Sequence, residues 1–563
     1  MQIIGKIIGI LSVSILFSVS AVAQPKVAAG GIINAASFAP LGLPNAAIAE
    51  GAIFSIFGTN IGPTTAEFGF NYPLPTVTPV GRVSVNITVS GTTTQAVILY
   101  SGSTQINAVL PSGTPVGTGT LTVTFNGQTS AGAPIDVVKS NFGTFAVNSA
   151  GSGPGIVTYA DFSLVTISKA ANPGETLILW GTGLGPVTGN EAGGALPGDQ
   201  PSVPVELYIG AQTAALTYRG RSGCCAGLDQ IGFVVPSNAD GCAVPVAVKI
   251  GDKVSNFTTM SVAKTGRTCT DQATGLTTTD YSKIFGKSDS AVGSVTLSRV
   301  TSISPGILGQ PASTTVADSG SAGFTRFTFA PGTSFNSAIF NSVSFGACIV
   351  STFAGNIPNP FPGLTFTGLD AGPSIGVSGP AGSRTLNRLA AASSLGFYSA
   401  ELGPGVPGNY LDQGAYTITG PGGASVGAFT AKLSLPPALV WTNQSSVTTV
   451  NRAAGQTVTW TGGDPAGYVN IDGSNFNLSG TTLQPVGAFF HCEARVSDGS
   501  FNIPAVVLLS LPAGSGISVG GISIPTGSLS VGASTVPTIF TAPGLDLASA
   551  SASSSTSKTL SYQ

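Results

Sequence analysis

Histidine and paired carboxylates are the residues that most often perform acid–base catalysis, and this sequence offers few of them. Its single histidine, His491, stands beside Cys492. Neighbouring residues of a strand point to opposite faces of a sheet, so these two cannot work together as base and nucleophile. The 23 acidic residues are scattered singly, and Asp464, Asp472 and Asp498 each adjoin Gly or Pro, which is typical of turns. We predict no catalytic residue, no metal site and no cofactor.

Six cysteines are the other reactive residues, and they fit disulfide bonds in an oxidising compartment. A zinc site would need CxxC-type spacing, which the sequence lacks. A bond between neighbours would be strained, so Cys224 and Cys225 are each expected to pair with Cys242 or Cys269. Cys348 and Cys492 form the remaining candidate pair, with two buried thiols as the alternative.

Aromatic side chains could stack on sugars. Trp180 lies in an apolar run and Trp460 alternates with Val458, so both are predicted to be core residues. Trp441 is less constrained by its neighbours, and it is the candidate for contact with a glycan.

Composition narrows the class of protein. Only 8% of the 563 residues are charged and the net charge is −2, while 42% are hydrophobic. Such a chain lacks the basic face of a nucleic-acid-binding protein and the high net charge of a disordered one. Its solvated faces must consist of uncharged polar residues, which suits packing against neighbours in a cell envelope or matrix.

The N-terminus predicts export. Lys6 precedes an apolar stretch at residues 7–19, and Ala21-Val22-Ala23 matches a small-x-small cleavage pattern. Residues 1–23 are therefore predicted to be a signal peptide, with an uncleaved anchor helix as the alternative. No later apolar run is long enough for a helical membrane span. We expect an extracellular or cell-surface location, or the periplasm.

Period-2 alternation of apolar and polar residues runs through the chain and predicts an all-β fold. An internal repeat is also visible. Residues 51–63 (GAIFSIFGTNIGP) align with 174–186 (GETLILWGTGLGP), and 105–111 (QINAVLP) align with 230–236 (QIGFVVP). The repeat predicts two domains, 28–140 and 141–265, each the size of an immunoglobulin-like sandwich.

Four segments carry a family resemblance: residues 31–38 (GIINAASF), 56–61 (IFGTNI), 181–188 (GTGLGPVT) and 221–231 (RSGCCAGLDQI). They resemble the Solibacter-type uncharacterised C-terminal domain of secreted acidobacterial proteins, whose repeats are similar to IPT/TIG immunoglobulin-like domains. The resemblance covers about residues 28–265. It implies an extracytoplasmic β-sandwich module without known catalytic residues. That module usually ends a longer protein, whereas here half of the chain follows it.

The rest of the chain is predicted to contain a linker at 266–284, a β-rich domain at 285–436 and a further β-sandwich at 437–563, with residues 505–512 among its strands. The whole chain then reads as about four tandem immunoglobulin-like β-sandwich domains.

These observations favour an exported, non-enzymatic protein used for adhesion, envelope structure or glycan contact. Its expected partners are cell-envelope components, polysaccharide or other surface proteins, and not nucleic acid. One alternative is a secreted glycan-active enzyme with its site in the C-terminal half, which would need two clustered carboxylates at an open cleft. The other is an outer-membrane β-barrel component, which the many prolines and the cysteine cluster disfavour.

Overall fold

The structure is a computed structural model. It describes residues 24–563 except 81, 271–275, 285–286, 305–310, 330–342, 356–364, 391–394, 404–409, 480–483, 515 and 520–521. The predicted signal peptide, residues 1–23, lies outside the described residues. Nearly all regular structure in the described part of the chain is β, which confirms the predicted fold class.

The first sandwich packs two sheets face to face, with the strand orders β1-β3-β8-β7-β4 and β2-β11-β9-β5-β6, and β10 paired with β9. Val85, Ile87 and Val89 alternate with polar residues and are fully buried between the sheets. Its strands are β1 (Lys26–Asn34), β2 (Ile48–Ala49), β3 (Ile53–Thr59), β4 (Glu67–Phe68), β5 (Ser84–Val89), β6 (Thr92–Gln95), β7 (Val97–Ser101), β8 (Gln105–Val109), β9 (Gly117–Phe125), β10 (Gln128–Thr129) and β11 (Ala133–Val138).

The second sandwich has the sheets β12-β14-β19-β18-β15, with β13 on β14, and β17-β16-β20-β21, with β22 on β20. A short 3-10 helix, Glu191–Gly193, precedes β15. Its strands are β12 (Gly143–Thr144), β13 (Val157–Thr158), β14 (Thr176–Thr182), β15 (Gly198–Asp199), β16 (Val205–Ile209), β17 (Gln212–Thr213), β18 (Ala215–Arg221), β19 (Asp229–Val234), β20 (Gly241–Ile250), β21 (Lys253–Val254) and β22 (Thr258–Val262).

The two sandwiches repeat each other down to single residue pairs. Phe57 on β3 faces Gln105 on β8, and Trp180 on β14 faces Gln230 on β19. A bulge precedes Tyr100 on β7, as another precedes its counterpart on β18. The aligned sequence segments therefore occupy the same places in two copies of one sheet.

Within the described residues, the C-terminal half contains one sheet of 15 strands together with a three-stranded and a two-stranded sheet. Its elements are α1 (Thr278–Ser282), β23 (Asp289–Ser304), β24 (Ser313–Thr328), β25 (Ala347–Ala354), β26 (Thr365–Gly368), β27 (Ser374–Gly379), β28 (Gly382–Arg388), β29 (Phe397–Glu401), β30 (Gly414–Gly420), β31 (Phe429–Leu435), β32 (Leu439–Trp441), β33 (Thr449–Val450), β34 (Gln456–Gly462), β35 (Tyr468–Ser479), β36 (Gln484–Arg495), β37 (Ser500–Ile503), α2 (Ala505–Leu509), β38 (Ile517–Val519), β39 (Ile522–Ile524), β40 (Gly527–Ser534), β41 (Thr538–Phe540) and β42 (Leu547–Tyr562). A 3-10 turn, Val496–Asp498, follows β36.

The 15-stranded sheet carries two hydrophobic cores, which we call the first and the second core of this half. The strands around them do not follow the domain boundary predicted at 436/437. β25 lies before the boundary and packs in the second core with β36. β42, the last strand, supplies Ala548, Ala550 and Ala552 to the first core and Leu560 and Tyr562 to the second. β42 pairs in parallel with β23 along most of its length, so one strand joins the two cores.

Two further segments differ from simple expectation. The predicted linker is packed, because Cys269, Leu276 and Ile284 are buried in a small core with Cys242. The prediction of a strand at 505–512 was wrong. Residues 505–509 form α2, which begins after Pro504 and has a buried apolar face. Among the described helices, none has the length and apolar character needed to cross a membrane.

Candidate ligand-contact surface

All six cysteines form disulfide bonds, as expected for an oxidising compartment. The Cys348–Cys492 bond joins β25 to β36, as predicted. The expected pairing of the other four was wrong, because Cys224 bonds its neighbour Cys225 and Cys242 bonds Cys269.

Location explains the difference in pairing. Cys242 and Cys269 are buried together in the small core beneath the segment that follows β22. Cys224 and Cys225 are exposed on the loop between β18 and β19. Pairing across these two sites would have required pulling one pair out of its packed environment. Strain between neighbouring cysteines is therefore a weaker constraint here than the position of the loop.

The tryptophans also depart from the sequence-based assignment. Trp441, the candidate for glycan contact, is only 5% exposed and lies in the core of the C-terminal half, so it offers no face to a ligand. Trp460 is buried in the same core, as predicted. Trp180 was predicted to be a core residue but is half-buried. It alternates on β14 with Leu177 and Leu179, which fill the core, and therefore points outward.

The outward face around Trp180 forms what we call the aromatic platform: Trp180, Phe162 and Gln230. The Phe162 ring is 67% exposed, and its centroid lies 6.1 Å from that of Trp180. The indole Nε1 donates to Thr158 Oγ1 at 2.9 Å, which fixes the ring. Gln230 sits directly across the strand pair from Trp180. In the described part of the chain its amide makes no side-chain hydrogen bond, so both its donor and its acceptor are available.

Phe162 lies on a tight turn that places its ring beside Trp180. The Phe162 N–H donates to Tyr159 O, and the Tyr159 N–H donates to Ser163 O, which closes the turn. Phe162 has a φ of 63°, in the left-handed region that bulky side chains avoid. Such strain persists only where surrounding structure enforces it, and it is frequent at binding sites.

Charges beside the platform are already paired. Lys169 lies over the Tyr159 ring and donates to Ser163. Arg267 makes two hydrogen bonds to Glu175, at 2.6 and 2.7 Å, and these lower the pKa of the Glu175 carboxyl. The platform is therefore flanked by neutralised charges.

A buried ion pair fixes the second sandwich against the first. Arg221 and Asp229 are both fully buried and bonded to each other. Arg221 also donates to the carbonyl of Gly51, a residue of the first sandwich, at 2.7 Å. Gly51 has a φ of +71°, and a Cβ there would collide with the guanidinium, so glycine is required. Burial raises the pKa of Asp229, while Arg221 and the N–H groups of Leu184 and Gly183 oppose the rise.

His491 lies between two carboxylates on the sheet of the C-terminal half. Its Nδ1 is 2.7 Å from Asp472 and its Nε2 is 3.2 Å from Glu493. Burial disfavours the charged ring, but these hydrogen bonds outweigh it and raise the pKa of His491 to about 10. A ring that stays protonated and donates at both nitrogens cannot act as a base at neutral pH. Among the described residues, no His, Cys, Asp and Glu group could hold a metal ion.

The comparisons with known proteins show at most a similarity of fold. No family model matches the chain, and no curated protein is significantly similar to it. SGBP-B from a complex xyloglucan utilization locus in Bacteroides uniformis is 12% identical, with a TM-score of 0.19, over 73% of this chain and 98% of that one. Domains 4–9 of the surface layer protein SbsC are 11% identical, with a TM-score of 0.16, over 93% and 83%.

The extracellular region of plexin A4 is 13% identical with a TM-score of 0.15, over 42% of this chain, which spans 18% of that region. Likenesses of this size do not follow the course of the whole chain, so any ligand must be inferred from the residues themselves.

The sequence held a signal for the platform that the apolar run obscured. Strict alternation from the buried Leu177 and Leu179 places Trp180 on the outer face. Phe162, by contrast, is brought to Trp180 by a turn whose course the alternation does not reveal.

Proposed function

We propose that the protein is an exported, non-enzymatic surface protein whose second sandwich holds a neutral glycan on the aromatic platform. One observation carries this proposal. Trp180 faces outward on its sheet beside the exposed Phe162 ring and opposite Gln230, whose amide has no side-chain partner among the described residues. The all-β fold and three disulfides support an extracellular setting.

A saccharide is the ligand whose chemistry fits these three side chains. The C–H face of a sugar ring packs on an aromatic ring, while its hydroxyls need donors and acceptors at the rim. The amide of Gln230 can donate and accept at once. A purely apolar ligand would leave that amide unsatisfied, and desolvating an unsatisfied amide is costly.

The preference for a neutral glycan comes from the charges. Lys169 and Arg267 are occupied by Ser163, Tyr159 and Glu175, so neither is free to pair with an acidic sugar. The sparse charge of the whole chain offers little long-range attraction for a polyanion. Polysaccharides of the cell envelope or matrix thus become the proposed partners.

Membership in the Solibacter-type family remains part of the proposal. The segments that carry the resemblance include Gly183, Arg221 and Asp229, which lie at the junction of the two sandwiches. That position gives these motif residues a structural reason to occur together, namely to fix two tandem modules against each other.

Retention on polysaccharide tests the proposed function. Residues 24–563 would be incubated with isolated cell envelopes and with insoluble neutral and acidic polysaccharides, and the bound fraction and released sugars would be measured together. Trp180→Ala should weaken retention on a neutral polysaccharide at least tenfold, as loss of a central aromatic anchor does. Phe57→Ala, at the same register in the first sandwich, is the matched control and should change it little.

Equal loss in both variants, or unchanged retention in Trp180→Ala, would contradict the platform. Sugar release by the wild type would overturn the non-enzymatic part of the proposal and direct attention to the carboxylates of the C-terminal half.

A further inference from the structure

The disulfide between Cys224 and Cys225 does nothing for stability through chain entropy. A cross-link stabilises mainly by closing a loop in the unfolded chain, and the gain grows with loop length. Cys224 and Cys225 are adjacent, so their bond closes no loop of intervening residues. The Cys242–Cys269 bond spans 27 positions and serves that purpose in the same domain. Another role is needed for the adjacent pair.

The loop that carries this pair is held firmly at its base. Ser222 N–H donates to Leu228 O, and Leu228 N–H donates to Cys225 O. Gly227 O accepts hydrogen bonds from Thr182 Oγ1 at 2.6 Å and from the buried Arg221. The tip, with both sulfur-bearing residues, remains exposed. Hydrogen bonds therefore fix the base of the loop, while the cysteine pair at its tip faces solvent.

An exposed aromatic ring from the first sandwich stands beside the tip. Tyr72 is 43% exposed, and its hydroxyl accepts a 2.9 Å hydrogen bond from the N–H of Ala226, the residue after Cys225. Ala226 is buried in a small core with Leu74 and Ala192, against which Phe70 packs. The two sandwiches therefore meet directly beneath Tyr72 and the cysteine pair.

We propose that Tyr72 and the Cys224–Cys225 disulfide form a second contact site for the same neutral glycan, which makes the tandem sandwiches bivalent. Sulfur is soft and polarizable and packs against apolar groups, and the tyrosine adds an aromatic edge. The charged residue at the base of the loop, Arg221, is buried and paired with Asp229, so it is not available to an ionic ligand. A saccharide with C–H faces and hydroxyls fits, as it does at the aromatic platform. The ligand class rests on the proposed function.

Bivalency has a measurable consequence. When two sites engage one long chain, the second contact is intramolecular and raises retention well above that of either site alone. A short saccharide that occupies each site independently reports the number of sites in a titration.

Calorimetric titration with soluble hexasaccharides of cellulose, mannan, xylan and chitin tests the site. The wild type should bind two molecules of at least one hexasaccharide per chain. Cys224→Ser/Cys225→Ser and Tyr72→Ala should each bind one, with an unchanged melting temperature for the cysteine variant. Cys242→Ser/Cys269→Ser is the matched control: it should lower the melting temperature and still bind two.

The outcomes separate the two proposals. One site in the wild type, retained in Cys224→Ser/Cys225→Ser and Tyr72→Ala but lost in Trp180→Ala, overturns the second site and supports the platform. Loss of a site in the cysteine variant with none lost in Trp180→Ala overturns the platform and supports the second site. Absence of binding by every hexasaccharide overturns both.

Discussion

The two N-terminal sandwiches share a strand order yet differ in what they present to solvent. In the first, the outward Phe57 faces Gln105, which donates to Asn107 at 2.9 Å, and Asn107 also accepts from Ser55. The second has Gly232 where the first has Asn107, so Gln230 has no such partner in the described structure. One copy satisfies its outer polar groups internally, and the other leaves them available beside a tryptophan.

The loops that join equivalent strands also differ between the two sandwiches in what they expose. Residues 102–104 join β7 to β8, whereas residues 222–228 join β18 to β19 and carry the exposed cysteine pair. The edge of the first sheet is covered by the long β1, while in the second the short β12 and β13 leave room for the turn that holds Phe162. A duplicated scaffold has thus kept its core and changed its outward residues, which is how function is grafted onto a fold.

The largest expected effect is at the junction of the copies. Arg221→Met should lower the free energy of unfolding of the second sandwich by about 3–5 kcal/mol, because it removes the only cation that pairs with the buried Asp229 carboxylate in the described structure. Denaturant unfolding of residues 24–563 measures the loss. Arg221→Met/Asp229→Asn should recover part of it, and a single variant as stable as the wild type would contradict the role of the ion pair.

The next largest effect concerns the disulfides of the second sandwich. They distinguish the two copies, because the first sandwich contains no cysteine. Cys242→Ser/Cys269→Ser should lower the free energy of unfolding by about 3 kcal/mol, from the entropy of the opened loop. The same denaturant experiment, read beside Cys224→Ser/Cys225→Ser, checks this. Equal destabilisation by both pairs would show that the adjacent disulfide also has a stabilising role.

A smaller effect concerns the strained turn. Phe162→Gly should raise stability by about 1 kcal/mol, because glycine adopts the left-handed φ without strain, and should weaken glycan retention several-fold by removing the ring. Thermal unfolding and retention on the same polysaccharide measure the two changes. Gly127→Ala, at another left-handed turn, is the control that should lower stability without touching retention. Retention that survives Phe162→Gly would remove Phe162 from the platform.

The smallest expected effect is that of salt. Retention should change less than about twofold between low and high NaCl, because the charges beside the platform are paired and screening has little to act on. Retention would be measured across a NaCl series. A steep fall in retention with rising salt would show that charges drive the contact.

Much of the fold could be predicted from local pattern. Alternation placed Val85, Ile87 and Val89 in the core, and the aligned segments marked equivalent strands of two copies. The pairing of distant segments, such as β42 with β23, could not be predicted, because the middle of β42 at residues 553–557 is polar on both faces and carries little information about register.

The site was harder to predict for the same reason. Whether Trp441 or Trp180 is exposed depends on which sheet covers each strand, and the pairing of Cys224 depends on where its loop lies. Local sequence gave the chemistry of these residues but not their surroundings.

Tryptophan fluorescence tests the central claim most directly, because Trp441 and Trp460 are buried and only Trp180 lies on the outer surface. Residues 24–563 would be titrated with a soluble form of the neutral polysaccharide that retains the protein, and the tryptophan emission should change saturably. The account predicts that this change is lost in Trp180→Phe and kept in Trp441→Phe. A signal that persists in Trp180→Phe, or binding that leaves the wild-type emission unchanged, would contradict it.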